Sequence, residues 1–430
     1  MENIVLRFKS MLFCEISKFR LGQILFISGI TFGLFLGDGA RKVFFIAALL
    51  CLTKSQLKEK FYKSLTKGQK ISGCFLLLFC LWIFFIPLFC GIEPLMGRLE
   101  GLFRPLEFFI IMWEMLIFAK DEFFFKNIKN FAIMTCFIYS VLAVSQRFIL
   151  GFPVDFSNWV VLGMAWRVGT LLSGLLPWVV YAFITERSLR KTLFLALVII
   201  LTCGTMFLTL YTTFWLVLAV QFAATFLVIL LFYRKGLFRI CVFTIATLAI
   251  IFCLIYSIAT YYENFRDNPG GLMEQLEQIT SVGDKFEISK FTNRRSELWC
   301  IAIELIKKRP MFGYGWADGE MVSDRIGHMH NAFLQAAWNA GIPAAIMYAI
   351  LLLILCISVI KKIKTNGKLM PISFVVLLAF LAYIVCAMLD DMFRSQRTIM
   401  TLYLSTFMLM LTPLANFTPD SKNELSDGKC

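Results

Sequence analysis

Residues 71–90 read ISGCFLLLFCLWIFFIPLFC, twenty positions without an acidic or basic side chain, and Lys63, Lys67 and Lys70 stand immediately before them. A helix of that length rises roughly 30 Å, the thickness of a bilayer's hydrocarbon core. The basic flank resists translocation and marks the cytoplasmic end. This pairing of apolar run and basic cluster recurs along the whole chain. Apolar runs fall near 21–37, 42–53, 71–90, 105–119, 131–150, 168–185, 192–210, 213–233, 240–260, 341–360, 369–389 and 397–414. The expected fold class is therefore all-α, a polytopic membrane helix bundle of about twelve transmembrane helices.

Composition agrees with this reading. Of 430 residues, 59% are hydrophobic and 16% charged, with 46 phenylalanines. A soluble domain runs near half apolar and a quarter charged. The net charge of +14 would suggest nucleic acid in a soluble protein, but here the basic residues occupy alternate short loops and act as orientation signals. Lys54, Lys58 and Lys60 follow the second run; Lys120, Lys126 and Lys129 the fourth; Arg187, Arg190 and Lys191 the sixth. Arg234, Lys235 and Arg239 follow the eighth, and Lys361, Lys362, Lys364 and Lys368 the tenth. Both termini are thus expected in the cytoplasm, and no nucleic-acid partner is expected. Most of the 13 cysteines lie within apolar runs, where cysteine behaves as a small hydrophobe, and no C-x-x-C pair occurs.

The chain divides into residues 1–260 with nine spans, an outer hydrophilic loop at 261–340, residues 341–415 with three more spans, and a cytoplasmic tail at 416–430. Long loops translocate largely regardless of charge, so the outer loop's charges do not conflict with the orientation. Within it, Met273 to Val282 and Arg295 to Lys308 read as helices, the second stopped by Pro310. Phe312-Gly-Tyr-Gly-Trp reads as a turn or a close approach of backbone. His330 to Ala340 reads as an amphipathic helix closed by Gly341.

Residues suited to chemistry collect in this loop and at outer helix ends. The chain's two histidines are His328 and His330, the latter beside Asn331; histidine exchanges protons best near neutral pH. A solvated loop or a helix-cap neighbour is the plainer reading of both. Arg294 and Arg295 could bind phosphate through rigid paired donors, or could form an ordinary ion pair at a helix start. Arg167, Arg394 and Arg397 stand at outer span ends, where a charge either faces an internal site or anchors the interface. Trp159 and Trp166 read as aromatic-belt residues. Glu107 and Glu114 could line a cavity, or Arg104 could hold Glu107. Lys307, Lys308 and Arg309 read as a solvated basic run attracted to lipid headgroups. No phosphate-binding Gly-rich loop, zinc-binding H-E-x-x-H or D-x-D pair occurs, so no metal or other cofactor is expected.

Taken together, Arg295-Ser-Glu-Leu-Trp299, Pro310, Gly313-Tyr-Gly315, His330-Asn331-Ala-Phe-Leu334 and Ala340-Gly341-Ile342 form a pattern that resembles the O-antigen ligase (WaaL-type) branch of the O-antigen ligase/polymerase superfamily. The detailed likeness covers residues 294–343, and the span count and orientation extend a looser one over the chain. The resemblance implies an inner-membrane enzyme with a large periplasmic loop between its ninth and tenth spans. Such an enzyme moves a glycan from an undecaprenyl-pyrophosphate carrier to the lipid A-core acceptor, inverting the anomeric carbon without a metal. It further implies His330 as general base and Arg295 and Arg167 as pyrophosphate ligands; from their own positions, Arg397 is expected as a further pyrophosphate ligand and Arg294, Asn331 and His328 as supporting residues. One departure stands out. Where ligases carry Ser-Arg-Gly-Ala-Trp-Leu, this chain has Tyr211-Thr-Thr-Phe-Trp215-Leu216, and Thr212 occupies the arginine's place. Rival readings are an O-antigen polymerase, a protein O-oligosaccharyltransferase and, from a different class, a transporter or flippase whose ligands should cluster at the bilayer midplane.

Overall fold

In the computed structural model the described residues are 18–52, 67–92, 110–111, 114–115, 117–118, 122–148, 165–209, 212–232, 295–315, 329–363 and 371–389. Among them all regular structure is helical: α1 (Lys18–Leu50), α2 (Lys67–Cys90), α3 (Glu122–Phe148), α4 (Ala165–Thr185), α5 (Leu189–Leu208), α6 (Thr212–Phe232), α7 (Arg295–Lys308), α8 (Ala332–Ala340), α9 (Ile342–Ile363) and α10 (Pro371–Leu389). Among the described residues, four segments are long and apolar enough to cross a membrane: Gly73–Cys90, Phe123–Gln146, Val168–Thr185 and Leu189–Leu208. The apolar segments of α6, α9 and α10 are shorter. The expected spans at 240–260 and 397–414, and the expected helix at 273–282, lie outside the described residues.

Polarity is arranged for an apolar solvent. Along α9, Ile342, Ile346, Ile350, Leu353 and Ile357 are all exposed, one stripe at helical spacing, and α2 exposes Leu77, Leu78, Leu81, Phe85 and Phe89. Meanwhile Gln23, Thr31, Gln221, Gln335 and Asn339 are buried. In water that distribution would be penalised twice; in lipid it leaves side chains against hydrocarbon and polar groups where they find partners.

Helix α4 is the centre of the bundle, packing against α3, α5, α6 and α10. Every residue from Val168 to Val180 is buried. Gly169 makes room for α6: a β-carbon there would stand 2.4 Å from the Phe214 ring. A second group joins α9 to α2, α8 and α10. In it Tyr348 stacks on Phe79 at 5.7 Å, meets Phe333 at 5.1 Å and shares a buried hydroxyl hydrogen bond with Tyr383. Tyr348 lies near the start of α9 and Tyr383 near the end of α10, so these helices are antiparallel.

Three expectations need adjustment. The runs at 21–37 and 42–53 are joined by unbroken helical backbone in α1. Yet Phe26 and Phe45 lie 5.5 Å apart, and a β-carbon on Gly22 would sit 2.9 Å from Cys51. A straight helix would separate residues 26 and 45 by roughly 28 Å, so α1 doubles back on itself between the two runs. The helix expected from 131 begins at Glu122, because Phe124 and Phe125 are buried against the bundle. Lys126 and Lys129 therefore sit on its first turns rather than in a loop. The helix expected from His330 begins at Ala332, for the capping reason given below.

Candidate functional site

The segment 295–315 folds onto 329–342 through backbone contacts that account for most of the motif. A helix leaves its last four carbonyls without intrahelical partners. In α8 all four are satisfied. Ala337 accepts from the Gly341 amide at 2.9 Å, Trp338 from Tyr314 at 2.6 Å and Asn339 from Gly315 at 3.1 Å. Ala340 accepts from the indole Nε1 of Trp82 on α2 at 2.9 Å. The Ile342 amide in turn donates to Pro310 at 2.7 Å, and the Ile92 amide to Tyr314 at 3.1 Å. The glycines are needed because the backbones touch: Gly313 has φ +65, Gly341 has φ +82, and a β-carbon on either would lie 2.2 Å from a carbonyl oxygen of the opposing segment.

Side chains complete this unit. Tyr314 stacks on Trp338 with ring centroids 4.4 Å apart, and Arg309 sits over the Tyr314 ring at 5.5 Å. Burial pushes the Tyr314 phenol up, with the Arg309 charge opposing, so its hydroxyl stays protonated and donates to the Leu305 carbonyl at 2.9 Å. Ala302, Ile306, Met329 and Trp338 fill the small core between α7 and α8. Trp299 Nε1 donates to the Met329 carbonyl at 3.0 Å and so pins the residue before His330 to α7.

His330 is the only non-glycine residue with positive φ among the described residues, at +46. It is half-buried, and its Nδ1 is shielded from solvent. A left-handed backbone at a histidine costs on the order of 1 kcal/mol, and such strain clusters at functional sites. The strain has a visible source. Asn331, in extended conformation, caps α8: its Oδ1 accepts from the Phe333 and Leu334 amides at 3.0 and 3.1 Å. The chain must therefore turn sharply at His330 between the pinned Met329 and the capping Asn331. This is why α8 starts two residues later than its pattern suggests.

Two of the residues singled out in the sequence meet at one helix end. Arg295, the first residue of α7, donates from Nη1 to the Leu389 carbonyl, and Asn331 donates from Nδ2 to Met388 at 3.1 Å. These are terminal carbonyls of α10, where the helix dipole concentrates partial negative charge, so a guanidinium there is favourable. Arg295 thus has a structural duty besides any ligand it holds. Asn331→Ala is expected to lose both the cap and the bond to Met388. The expected cost is about 1–2 kcal/mol, read as a lowered thermal midpoint of detergent-solubilised protein.

Arg167 lies in the first turn of α4, and Gly169 packing on Phe214 sets that turn beside the first turn of α6, which carries Thr212. Arg294, Arg394, Arg397 and His328 lie outside the described residues, as do Asp390 and Asp391. Glu114 is fully buried, and neither carboxyl oxygen has a hydrogen-bond partner among the described residues. Sequence reasoning missed Trp82 and the end of α10 as parts of this arrangement. Both are joined to it across very long sequence separations, 258 residues for Trp82 and Ala340, so no local pattern betrays them.

Residues 195–349 match the family model described as O-antigen ligase. The match includes Arg295, His330 and Asn331; Arg167 and Arg397 fall outside it. No curated protein matches the chain.

Proposed function

Because the chain is a member of the O-antigen ligase/polymerase superfamily, we propose that it is an O-antigen ligase. It transfers O-antigen polysaccharide from undecaprenyl pyrophosphate to the lipid A-core oligosaccharide. The observation that carries the site assignment is the fastening of Arg295 and the His330-Asn331 segment to consecutive carbonyls at the end of α10. Phosphate-binding and proton-accepting chemistry are thereby held by one piece of scaffold.

In the proposed reaction an acceptor sugar hydroxyl attacks the anomeric carbon of the donor. The new glycosidic C–O bond forms on the face opposite the breaking bond, giving inversion. The bonding pair leaves with the carrier pyrophosphate, while His330 takes the hydroxyl proton. The leaving pyrophosphate gains negative charge, which arginines placed in advance stabilise most strongly where water is scarce. Arg295 serves there, with Arg167 and Arg397 as further ligands and Arg294, Asn331 and His328 supporting. Fixing both lipid-linked substrates at one membrane face supplies proximity, so the base has only to lie within reach of the hydroxyl.

Orientation follows from charge. Lys67 and Lys70 begin α2, Arg187, Arg190 and Lys191 sit at the α4–α5 turn, and Lys361 and Lys362 end α9. The positive-inside tendency assigns these ends to the cytoplasm of an inner-membrane protein. The starts of α4 and α9, the end of α10 and the His330 segment then face the periplasm. Expression in a ligase-deficient Gram-negative host with matched core and O-antigen tests the activity. A restored lipopolysaccharide ladder is the expected result. Its absence from well-expressed protein would overturn the ligase assignment and favour a polymerase or a protein O-oligosaccharyltransferase.

A further inference from the structure

Pro177 lies inside α4. Having no amide hydrogen, it cannot donate to the carbonyl four residues earlier, and its ring crowds that carbonyl. The carbonyl belongs to Ser173. Gln221 of α6 donates to it from Nε2 at 2.8 Å, and the same nitrogen reaches the Leu378 carbonyl of α10 at 3.3 Å. Ser173, Gln221 and Leu378 are all buried. We propose that Gln221 is a positioning residue: its amide replaces the hydrogen bond that Pro177 removes and fixes the sliding register of α4 against α10.

The chemistry at this crossing supports a tie rather than a ligand site. A neighbouring cavity lined by Pro177, Val180, Gln221, Thr225 and Leu378 holds about 10 Å³, room for no more than a water. Gln221 Oε1 is buried with no partner among the described residues. A half-satisfied amide at this depth is costly where leucine would pack freely, so the donor half has to compensate. Thr225 Oγ1 donates to the Gln221 carbonyl at 2.7 Å, which ties the same turn of α6 once more.

The register matters because of what the two helices carry. Helix α4 begins with the turn bearing Arg167, and α10 ends on the carbonyls that hold Arg295 and Asn331. A slide of α4 along α10 would change the spacing between these groups. This functional half rests on the transferase reading; the structural half does not.

The test is a mutant cycle on the full-length chain in proteoliposomes, with carrier-linked glycan donor and lipid A-core acceptor. Gln221→Leu is expected to lower the thermal midpoint by about 3–6 °C and to raise the donor KM about tenfold while changing kcat less. Pro177→Ala restores an amide N–H for the Ser173 carbonyl. In that background Gln221→Leu should cost less than half as much by both readouts; equal costs in the two backgrounds overturn the proposal. Should Pro177→Ala fail to accumulate, Gln221→Glu and Gln221→Met replace it. A protonated glutamic acid keeps one donor and should retain most of the donor KM, whereas methionine should not, and equal effects overturn the proposal. If wild type transfers no glycan, the transferase reading fails and the functional half with it. The thermal cycle then decides the register claim alone.

Discussion

His330→Asn is expected to leave the protein folded and to abolish the lipopolysaccharide ladder. The two halves of this result have separate causes. Asparagine tolerates a left-handed backbone better than other non-glycine residues, so at φ +46 it should be no less stable than histidine. It cannot act as a base near neutral pH. Removing a general base typically costs about 10²–10⁴-fold in rate, enough to erase a ladder scored on a gel. The check is a complemented ligase-deficient host, with membrane levels of each variant measured alongside. A full ladder from His330→Asn would sink the catalytic role. His328→Ala run in parallel separates the two histidines, since a ladder lost only with that variant would move the base to His328.

Gly341→Ala should instead destabilise the fold severely. Its β-carbon would enter within 2.2 Å of the Met311 carbonyl oxygen, and φ is +82. Opposing backbone, unlike the end of a flexible side chain, cannot swing aside. Relief would require the 310–312 segment to lift off α8, losing the bond from Ile342 to Pro310 and the carbonyl partners that Tyr314 and Gly315 provide. A cost of about 3–5 kcal/mol is expected, a large share of a typical folding free energy. The same substitution at Gly73, where a new β-carbon would find nothing within 4 Å, should be neutral or slightly stabilising. Monodispersity and thermal midpoint of the detergent-extracted variants distinguish the two; a Gly341→Ala protein as stable as Gly73→Ala would refute the account.

These cases show where sequence carries structural information and where it does not. Helix α7 is bounded as its sequence suggests because its stop signals, Pro310 and the Gly313 turn, are local. Helix α8 starts two residues later than its periodicity suggests because a side-chain cap and a left-handed turn leave no mark on a hydrophobic pattern. Gly313 and Gly315 are legible as a turn or close backbone approach and Gly341 as a helix stop, but the fact that Gly313 meets the end of α8, and Gly341 meets Met311, is not. The reversal within α1 is visible as two apolar runs, although the helical backbone through it is not. Of the site, Arg295 and Asn331 can be singled out by type and spacing. Their common attachment to α10 cannot, since it depends on how residues 57 and 94 positions apart meet. The substitution of Gln221 for a missing backbone donor is equally hidden, because the proline and the glutamine lie on different helices.

Arg295 and Asn331 occupy neighbouring carbonyls on the same final turn, which makes that turn a clasp. A clasp opens for both threads at once. Any event that frays the end of α10 loosens both attachments together. An anion that draws the guanidinium towards itself must first outcompete the helix end for it. The relative placement of the two groups thus depends on one turn of helix that itself contributes only backbone oxygen.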